Sequence, residues 1–247
     1  MAEQTAIGWT DFTLNIWWGC SYSSPACLHC FAAALDRRTG GNYFEPGVLP
    51  RRTKPQTWNL ANRMNRKAIE QGVRLKGFVG SMMDVMDNRV PEAWRDEMWP
   101  LLKKNTQIDW QLLTKRAPNI KKMLPADWGD GYDNVWLGVT VEDRKHGVPR
   151  IDHLRAVPAK VRFLSIEPLL EDLGELDLTG IHWVIIGGES GPGFRPIRQE
   201  WVDPIIAQCR AAGVAVFFKQ WGGVKTTSGG CAINGTTIKE FPPSLAA

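Results

Sequence analysis

Seven short apolar runs recur along this chain, each ending abruptly in polar residues, and several are separated by amphipathic stretches of helical length. The runs are Phe12–Trp18, Gly77–Ser81, Ile108–Thr114, Val135–Thr140, Val161–Ser165, Trp183–Ile186 and Val214–Lys219. Each is rich in Val, Ile, Leu, Phe or Trp, as expected of strands buried on both faces. Between them Trp58–Gln71, Pro91–Lys104 and Gln199–Ala212 read as helices, with Pro91 at a tolerated start and Gly213 at a stop. Alternating strand and helix implies a parallel α/β sheet with right-handed crossovers. Seven strands suit a partial or complete parallel (β/α) barrel, and they also suit an open doubly wound sheet.

The strand ends favour the barrel. They read Gly19–Cys20, Ser81-Met82-Met83-Asp84, Thr114-Lys115-Arg116, Thr140-Val141-Glu142-Asp143, Ser165-Ile166-Glu167, Gly187-Gly188-Glu189-Ser190 and Lys219-Gln220. Barrel enzymes place their sites at this edge, because the loops after the strands converge there over a packed core. Seven such ends in succession predict one large polar cavity.

The chain has 247 residues, 43% hydrophobic and 23% charged, which is a globular composition. No linker divides it, so residues 1–247 are expected to form a single domain with a short irregular tail from about residue 224. No apolar run reaches the roughly 18 residues of a membrane span, and MAEQTAIGWTDF does not read as a signal peptide. A cytoplasmic protein without a membrane partner is the expectation, and its five cysteines are then thiols rather than a disulfide framework. Cys209 reads as a small buried apolar residue, and Cys231 as incidental.

Cys20, Cys27 and Cys30 are different. IWWGCSYSSPACLHCFAAALDRR gives the spacing C-x6-C-x2-C, leaving the first strand and running into a helix that begins near Cys27. Thiolates are soft ligands, and a close pair with a third nearby holds three corners of a metal centre. No fourth cysteine lies near. One option is structural zinc completed by His29 or a distant group, although His29 sits inside the close pair, where its ring reaches the same metal with difficulty. The other is a [4Fe–4S] cluster with one open iron, the coordination that S-adenosylmethionine needs for its amino and carboxylate groups.

The position after the first strand resembles that of radical S-adenosylmethionine enzymes, which carry three cysteines there on a partial or complete barrel. Their usual spacing is C-x3-C-x2-C; the first gap here is longer, and His29 stands where an aromatic often precedes the last cysteine. IGWTDFTLNIWWGC, SPACLHCFA, DWQLLTKRAP, NVWLGVTVED, VRFLSIEPLL, WVIIGGESGPGFRPI and VFFKQWGG together resemble a phage-borne three-cysteine-motif family without an assigned activity. The resemblance covers about residues 6–223. It implies a radical-SAM-like barrel, a [4Fe–4S] cluster with S-adenosylmethionine, an external electron donor, and the cytoplasm of a phage-infected host.

Several strand-end residues then become candidates for contacting that cofactor. Ser81 and Asp84 follow the second strand, where the methionyl end is met, and Glu142 after the fourth suits a ribose. Lys115 and Arg116 suit a carboxylate or a phosphate, as does Lys219. Glu167 is polar in an apolar neighbourhood. Gly187 and Gly188 allow close backbone approach, and Glu189 suits an amine or a ribose hydroxyl. A Gly-Gly-Glu segment contacts the methionyl amine in the radical family, but it follows the second strand there and the sixth here.

From Arg37 to Lys76 ten Lys or Arg face only Glu45 and Glu70, on a chain whose net charge is +4. Arg37, Arg38, Arg51, Arg52 and Lys54 form a basic loop that suits a phosphate backbone. Of the twelve tryptophans, Trp17, Trp18, Trp136 and Trp183 are expected in the core, and Trp221 at the cavity mouth, where a base stacks. His146, His153 and His182 show no partner pattern. The function expected is a radical enzyme that modifies a nucleobase or nucleotide in phage DNA. The alternative is a non-catalytic nucleic-acid-binding protein stabilised by zinc or an iron–sulfur cluster.

Overall fold

A computed structural model describes residues 5–225 and 228–243. The remaining residues of the expected single domain and of its tail lie outside the described ones. The strands are β1 (Phe12–Leu14), β2 (Trp17–Trp18), β3 (Arg51–Arg52), β4 (Leu75–Val79), β5 (Ile108–Thr114), β6 (Val135–Thr140), β7 (Val161–Ile166), β8 (Trp183–Gly187), β9 (Ala215–Gln220), β10 (Ala232–Ile233) and β11 (Thr236–Thr237). The α-helices are α1 (Phe31–Arg38), α2 (Pro55–Trp58), α3 (Leu60–Gln71), α4 (Glu92–Lys104), α5 (Ile120–Met123), α6 (Pro149–Arg155) and α7 (Gln199–Ala211).

Seven strands form one sheet in the order β1-β4-β5-β6-β7-β8-β9, and every neighbouring pair is parallel. The order follows the sequence without the reversal that defines a doubly wound sheet. The sheet is therefore a barrel segment, left open between β1 and β9.

Its curl follows from side-chain contacts. Strands four apart in a flat sheet lie about 19 Å from each other. Yet the Trp9 ring touches both Phe78 of β4 and Trp183 of β8, at centroid distances of 4.7 and 6.2 Å. Only a sheet bent around Trp9 allows both contacts. The concave face carries Phe78, Trp136, Phe163, Trp183, Ile185 and Phe217, packed with Trp9 into one cluster. The convex face carries the alternate residues, such as Leu112, Leu137, Leu164, Val184 and Val216, in a larger core.

The helices cover that convex face with amphipathic stripes. Leu60, Ala61, Met64 and Ala68 are the buried positions of α3, and Gly72 ends it with φ 64°. Helix α7 buries Val202, Ile205 and Cys209, so Cys209 is a core residue. The alternation fails once: residues 167–182, between β7 and β8, form no helix. Buried Leu169, Leu173, Leu176, Leu178 and Ile181 cover the sheet there instead.

The first apolar run is also divided. β1 ends at Leu14, and Trp17–Trp18 leave the sheet to pair antiparallel with Arg51–Arg52. The terminal stretch carries the β10–β11 hairpin and returns along β9, where the Phe218 N–H donates to Ile238 O at 2.9 Å. No described helix is long and apolar enough to cross a membrane.

Candidate metal centre at the barrel mouth

The three cysteines lie where the chain crosses the carboxyl edge of the sheet. Cys20 follows β2, Cys27 ends a 3-10 turn (Pro25–Cys27), and Cys30 caps α1. The Cys30 N–H donates to Cys27 O at 3.3 Å, so these two stand one tight turn apart. All three are half-buried free thiols.

One flank of the loop is tied to the segments after β4 and β5. The Gly19 N–H donates to Met82 O at 2.9 Å. Ser21 donates to Asp87 Oδ2 through its backbone N–H at 3.0 Å and its hydroxyl at 3.2 Å. Arg116 reaches in from the end of β5: Nη2 donates to Ser21 O at 2.7 Å, and Nη1 to Asp84 Oδ2 at 2.8 Å and to Cys20 Sγ at 3.5 Å. Asp84 is buried and also accepts from the Thr114 hydroxyl at 2.7 Å. Burial opposes the Arg116 charge, but Asp84, Cys20 and Asp87 hold the guanidinium firmly protonated. Burial likewise opposes ionisation of Asp87, and Arg89 and Arg116 overcome it and lower its pKa.

The other flank is tied to the segment after β8. His29 Nδ1 lies 2.8 Å from Glu189 Oε2, and the Arg195 Nη2 donates to Pro25 O at 3.1 Å. Arg195 also pairs with Glu189. Burial raises the Glu189 carboxyl, but hydrogen bonds from Arg195 and His29 prevail and bring it down to about 2. The cysteine loop is thus strapped across the mouth, from the β4–β5 side to the β8 side.

Burial and the Asp84 carboxylate push the Cys20 thiol up to about 12, against the pull of Arg116. A thiol held that high is a poor nucleophile; it loses its proton when a metal takes the sulfur. The donor set is soft and threefold. Among the described residues no three His, Cys, Asp or Glu are grouped tightly enough for a single ion. A cubane cluster spreads its thiolates around a larger core; here the Cys20 thiol meets Arg116, while Cys27 and Cys30 share one tight turn. His29 holds Glu189 through Nδ1, the outer hydrogen bond that a ligating histidine also makes, and keeps Nε2 for another partner. By chemistry alone the three soft thiols suit an iron–sulfur cluster or zinc.

The other expected residues divide between the mouth and the protein interior. Ser81 faces Asn15, whose Nδ2 donates to its hydroxyl at 2.9 Å. Lys115 follows β5 and is half-buried. Glu167 and Lys219 pair at 2.7 Å, and Gly187 leaves the space Glu167 occupies, since a Cβ there would lie 2.8 Å from its Cγ. Gly188 is packed so closely that a Cβ would lie 2.0 Å from Trp221 O. Asp84 and Glu189 hold the loop rather than standing free in a cavity. Glu142 is fully buried and paired with Arg150 of α6. Trp221 is half-buried, against Phe218 at 4.8 Å.

Sequence reading missed Asn15, Asp87 and Arg195. Asp87 carried a faint signal, three residues after Asp84 in the same strand-end segment. Arg195 carried none, because its partners are set by a loop reversal.

Compared with known families, a model described as Protein of unknown function (DUF5131) matches residues 4–242. The chain belongs to this family. No curated protein matches it. Among solved structures it is similar to a spore photoproduct lyase double mutant with bound AdoMet and dinucleoside spore photoproduct, and to spore photoproduct lyase complexed with that dinucleoside. Each likeness has 11% identity and a TM-score of 0.45, and covers 81% of this chain and 61% of the lyase chain. The chain therefore spans less than two thirds of those structures.

In this DUF5131 chain the basic loop sits beside the cysteines, because β3 pairs with β2. Buried Asp36 shapes it, accepting from Trp18 Nε1 at 2.6 Å and from the Tyr43 N–H at 2.8 Å. Arg52 pairs with Glu97 and lies over Trp58, Arg37 lies 3.6 Å from Glu45, and Arg51 lies over Tyr43. Arg38 and Lys54 are exposed and make no ion pair among the described residues.

Proposed function

We propose that this protein is a radical S-adenosylmethionine enzyme acting on a nucleobase or nucleotide, in phage DNA as its sequence resemblance implies. The observation that carries the reading is the donor set: three half-buried thiols on one loop that is strapped over the mouth of a parallel partial barrel. Cys20, Cys27 and Cys30 would hold a [4Fe–4S] cluster with one open iron. Such a cluster, with bound S-adenosylmethionine and an external electron donor, supplies a 5′-deoxyadenosyl radical for hydrogen abstraction.

The chain's own residues do the positioning. Arg116 and Asp87 fix the Cys20 side of the loop, and Glu189 with Arg195 fixes the Cys27–Cys30 turn. Ser81, Lys115 and Glu167 are the groups assigned to cofactor and substrate contact, whereas Gly187 and Gly188 make room for Glu167 and Trp221. Asp84 and Glu142 act through their arginine partners. The aromatic floor of Trp9, Phe163 and Trp183 excludes water from below. The basic loop would guide a phosphate backbone to the mouth, in the cytoplasm.

Anaerobic purification followed by metal analysis and absorption spectroscopy tests the reading. Iron and sulfide near four each per chain, with 5′-deoxyadenosine formed on reduction with the cofactor, is the expected outcome. Stoichiometric zinc without thiolate-to-iron absorption would sink it and leave a metal-stabilised nucleic-acid-binding protein.

A further inference from the structure

The loop that carries the cysteines also carries apolar side chains that metal ligation does not use. Each cysteine is followed within two residues by a large one: Tyr22 after Cys20, Leu28 after Cys27 and Phe31 after Cys30. Their exposures are 65%, 63% and 65%. An apolar residue exposed singly means little, but several in one short segment mark an interaction site. Among the described residues, Tyr22 and Phe31 are the only aromatics in the set of exposed large apolar side chains. Neither ring stacks on another ring or on a cation of the described residues, so their faces are open.

Helix α1 continues this surface into the basic ridge. Its buried positions are Ala32 and Asp36, one turn apart. Phe31, Ala34 and Arg38 are exposed, and their spacing sets them together on the opposite side of the helix. Arg38 therefore lies about 10 Å along the axis from Phe31. Asp36 fastens α1 to β2 and to the segment before β3, through Trp18 Nε1 at 2.6 Å and the Tyr43 N–H at 2.8 Å. Arg51 of β3 stands opposite Trp18, two residues before Cys20. Arg38, Arg51 and Lys54 are exposed and meet no carboxylate among the described residues. Open ring faces and unneutralised cations thus flank the same cysteines.

We propose that this surface binds single-stranded DNA, with Tyr22 and Phe31 stacking on unpaired bases and Arg38, Arg51 and Lys54 holding phosphates. Stacking on aromatic rings tolerates any sequence, because every base has a π-face. A duplex cannot use these rings: its base faces are covered by their neighbours, and only base edges reach its grooves. An acidic protein partner would answer the same cations, but its binding would not depend on bases. The inference deepens the proposed enzyme reading and rests on it for DNA as the partner. A strand lying across the cysteine loop brings an unpaired base to the mouth, which a base held in a duplex does not reach.

Fluorescence anisotropy of the anaerobically purified chain tests this. The probes are a labelled deoxythymidine strand of about 12 nucleotides, within the site sizes that such surfaces cover, its duplex with the complement, and the same strand without bases. The intact strand should bind at least about tenfold tighter than either of the others. Tyr22→Ala and Phe31→Ala should each weaken it by roughly fivefold to a hundredfold, the measured range for losing one stacked base. Neither change removes a cation, so the log–log salt slope should stay as it is, and binding of the baseless strand should not move. Phe31→Trp should keep the affinity, as should Ile69→Ala, which trims a similarly exposed apolar side chain on α3. Equal binding of the intact strand and the duplex, or of the intact and baseless strands, overturns the proposal and leaves the surface to a protein partner. Affinity that survives both alanine changes overturns it too. The comparison of strands on the unaltered chain decides the matter even where a variant does not fold. A chain that forms no cluster yet prefers the intact strand overturns the radical reading and leaves this surface standing; a cluster without the preference does the reverse.

Discussion

Arg116 joins two carboxylates, a serine and a cysteine with one guanidinium, and its side chain is only 11% exposed. Removing one partner of a buried pair leaves the other charge unpaired. Arg116→Gln should therefore destabilise the fold by about 3 kcal/mol in urea unfolding. Combining it with Asp84→Asn should cost less than the two single changes together, because the groups share one network. Glu189 makes a pH prediction. Its folded value of about 2 lies below the ordinary 4.5, so its contribution is full above pH 4.5 and is lost as pH falls toward 2. Acid unfolding of Glu189→Gln should show a shallower slope across that window than the parent chain. The cysteines were legible in the sequence because their spacing is local. The partners of Glu189 were not: His29 lies 160 residues away in the chain, and no pattern within a segment encodes that meeting.

Gly138 shows how elements on the concave face fit. A Cβ there would lie 2.4–2.5 Å from three atoms of the Phe163 ring on the neighbouring strand. Gly138→Ala should cost about 1–3 kcal/mol by overpacking, and Phe163→Leu should recover part of it, read by thermal melting of both variants. The strands themselves were legible, since β5 and β6 coincide with their apolar runs and the others end within a few residues. Two departures have physical causes. Asn15 accepts the Met82 N–H at 2.8 Å, which fastens the end of β1 to the next βα loop and lets Trp17–Trp18 turn away. The pairing of those tryptophans with Arg51–Arg52 depends on a distant segment, so apolar character alone read as one long strand. Between β7 and β8, a run of spaced leucines covers the sheet without helical periodicity.

Across the whole molecule the charge asymmetry becomes a ridge beside the mouth, partly neutralised by Glu45 and Glu97. Only the remaining cations should release counterions. Replacing Arg38, Arg51 and Lys54 together by Gln should lower the log–log salt slope of single-stranded DNA binding by about 2, whereas Arg52→Gln should change it little. Fluorescence anisotropy over a salt series reads both. The barrel architecture was legible from seven polar strand ends, because each loop inherits its position from its strand. The strap across the mouth was not, because it is made from those loops after the barrel exists.

That strap has a consequence for the order of assembly. Its anchors join residues 95 and 170 positions apart, Arg116 to Ser21 and Arg195 to Pro25. Neither end is fastened until β5 and β8 have docked, so a nascent chain that has emitted all three cysteines still has no ligand set. On the proposed reading, cluster insertion would then be a late event that inspects a finished barrel, and an iron–sulfur donor meeting a misfolded copy would find scattered thiols instead of a receiving site.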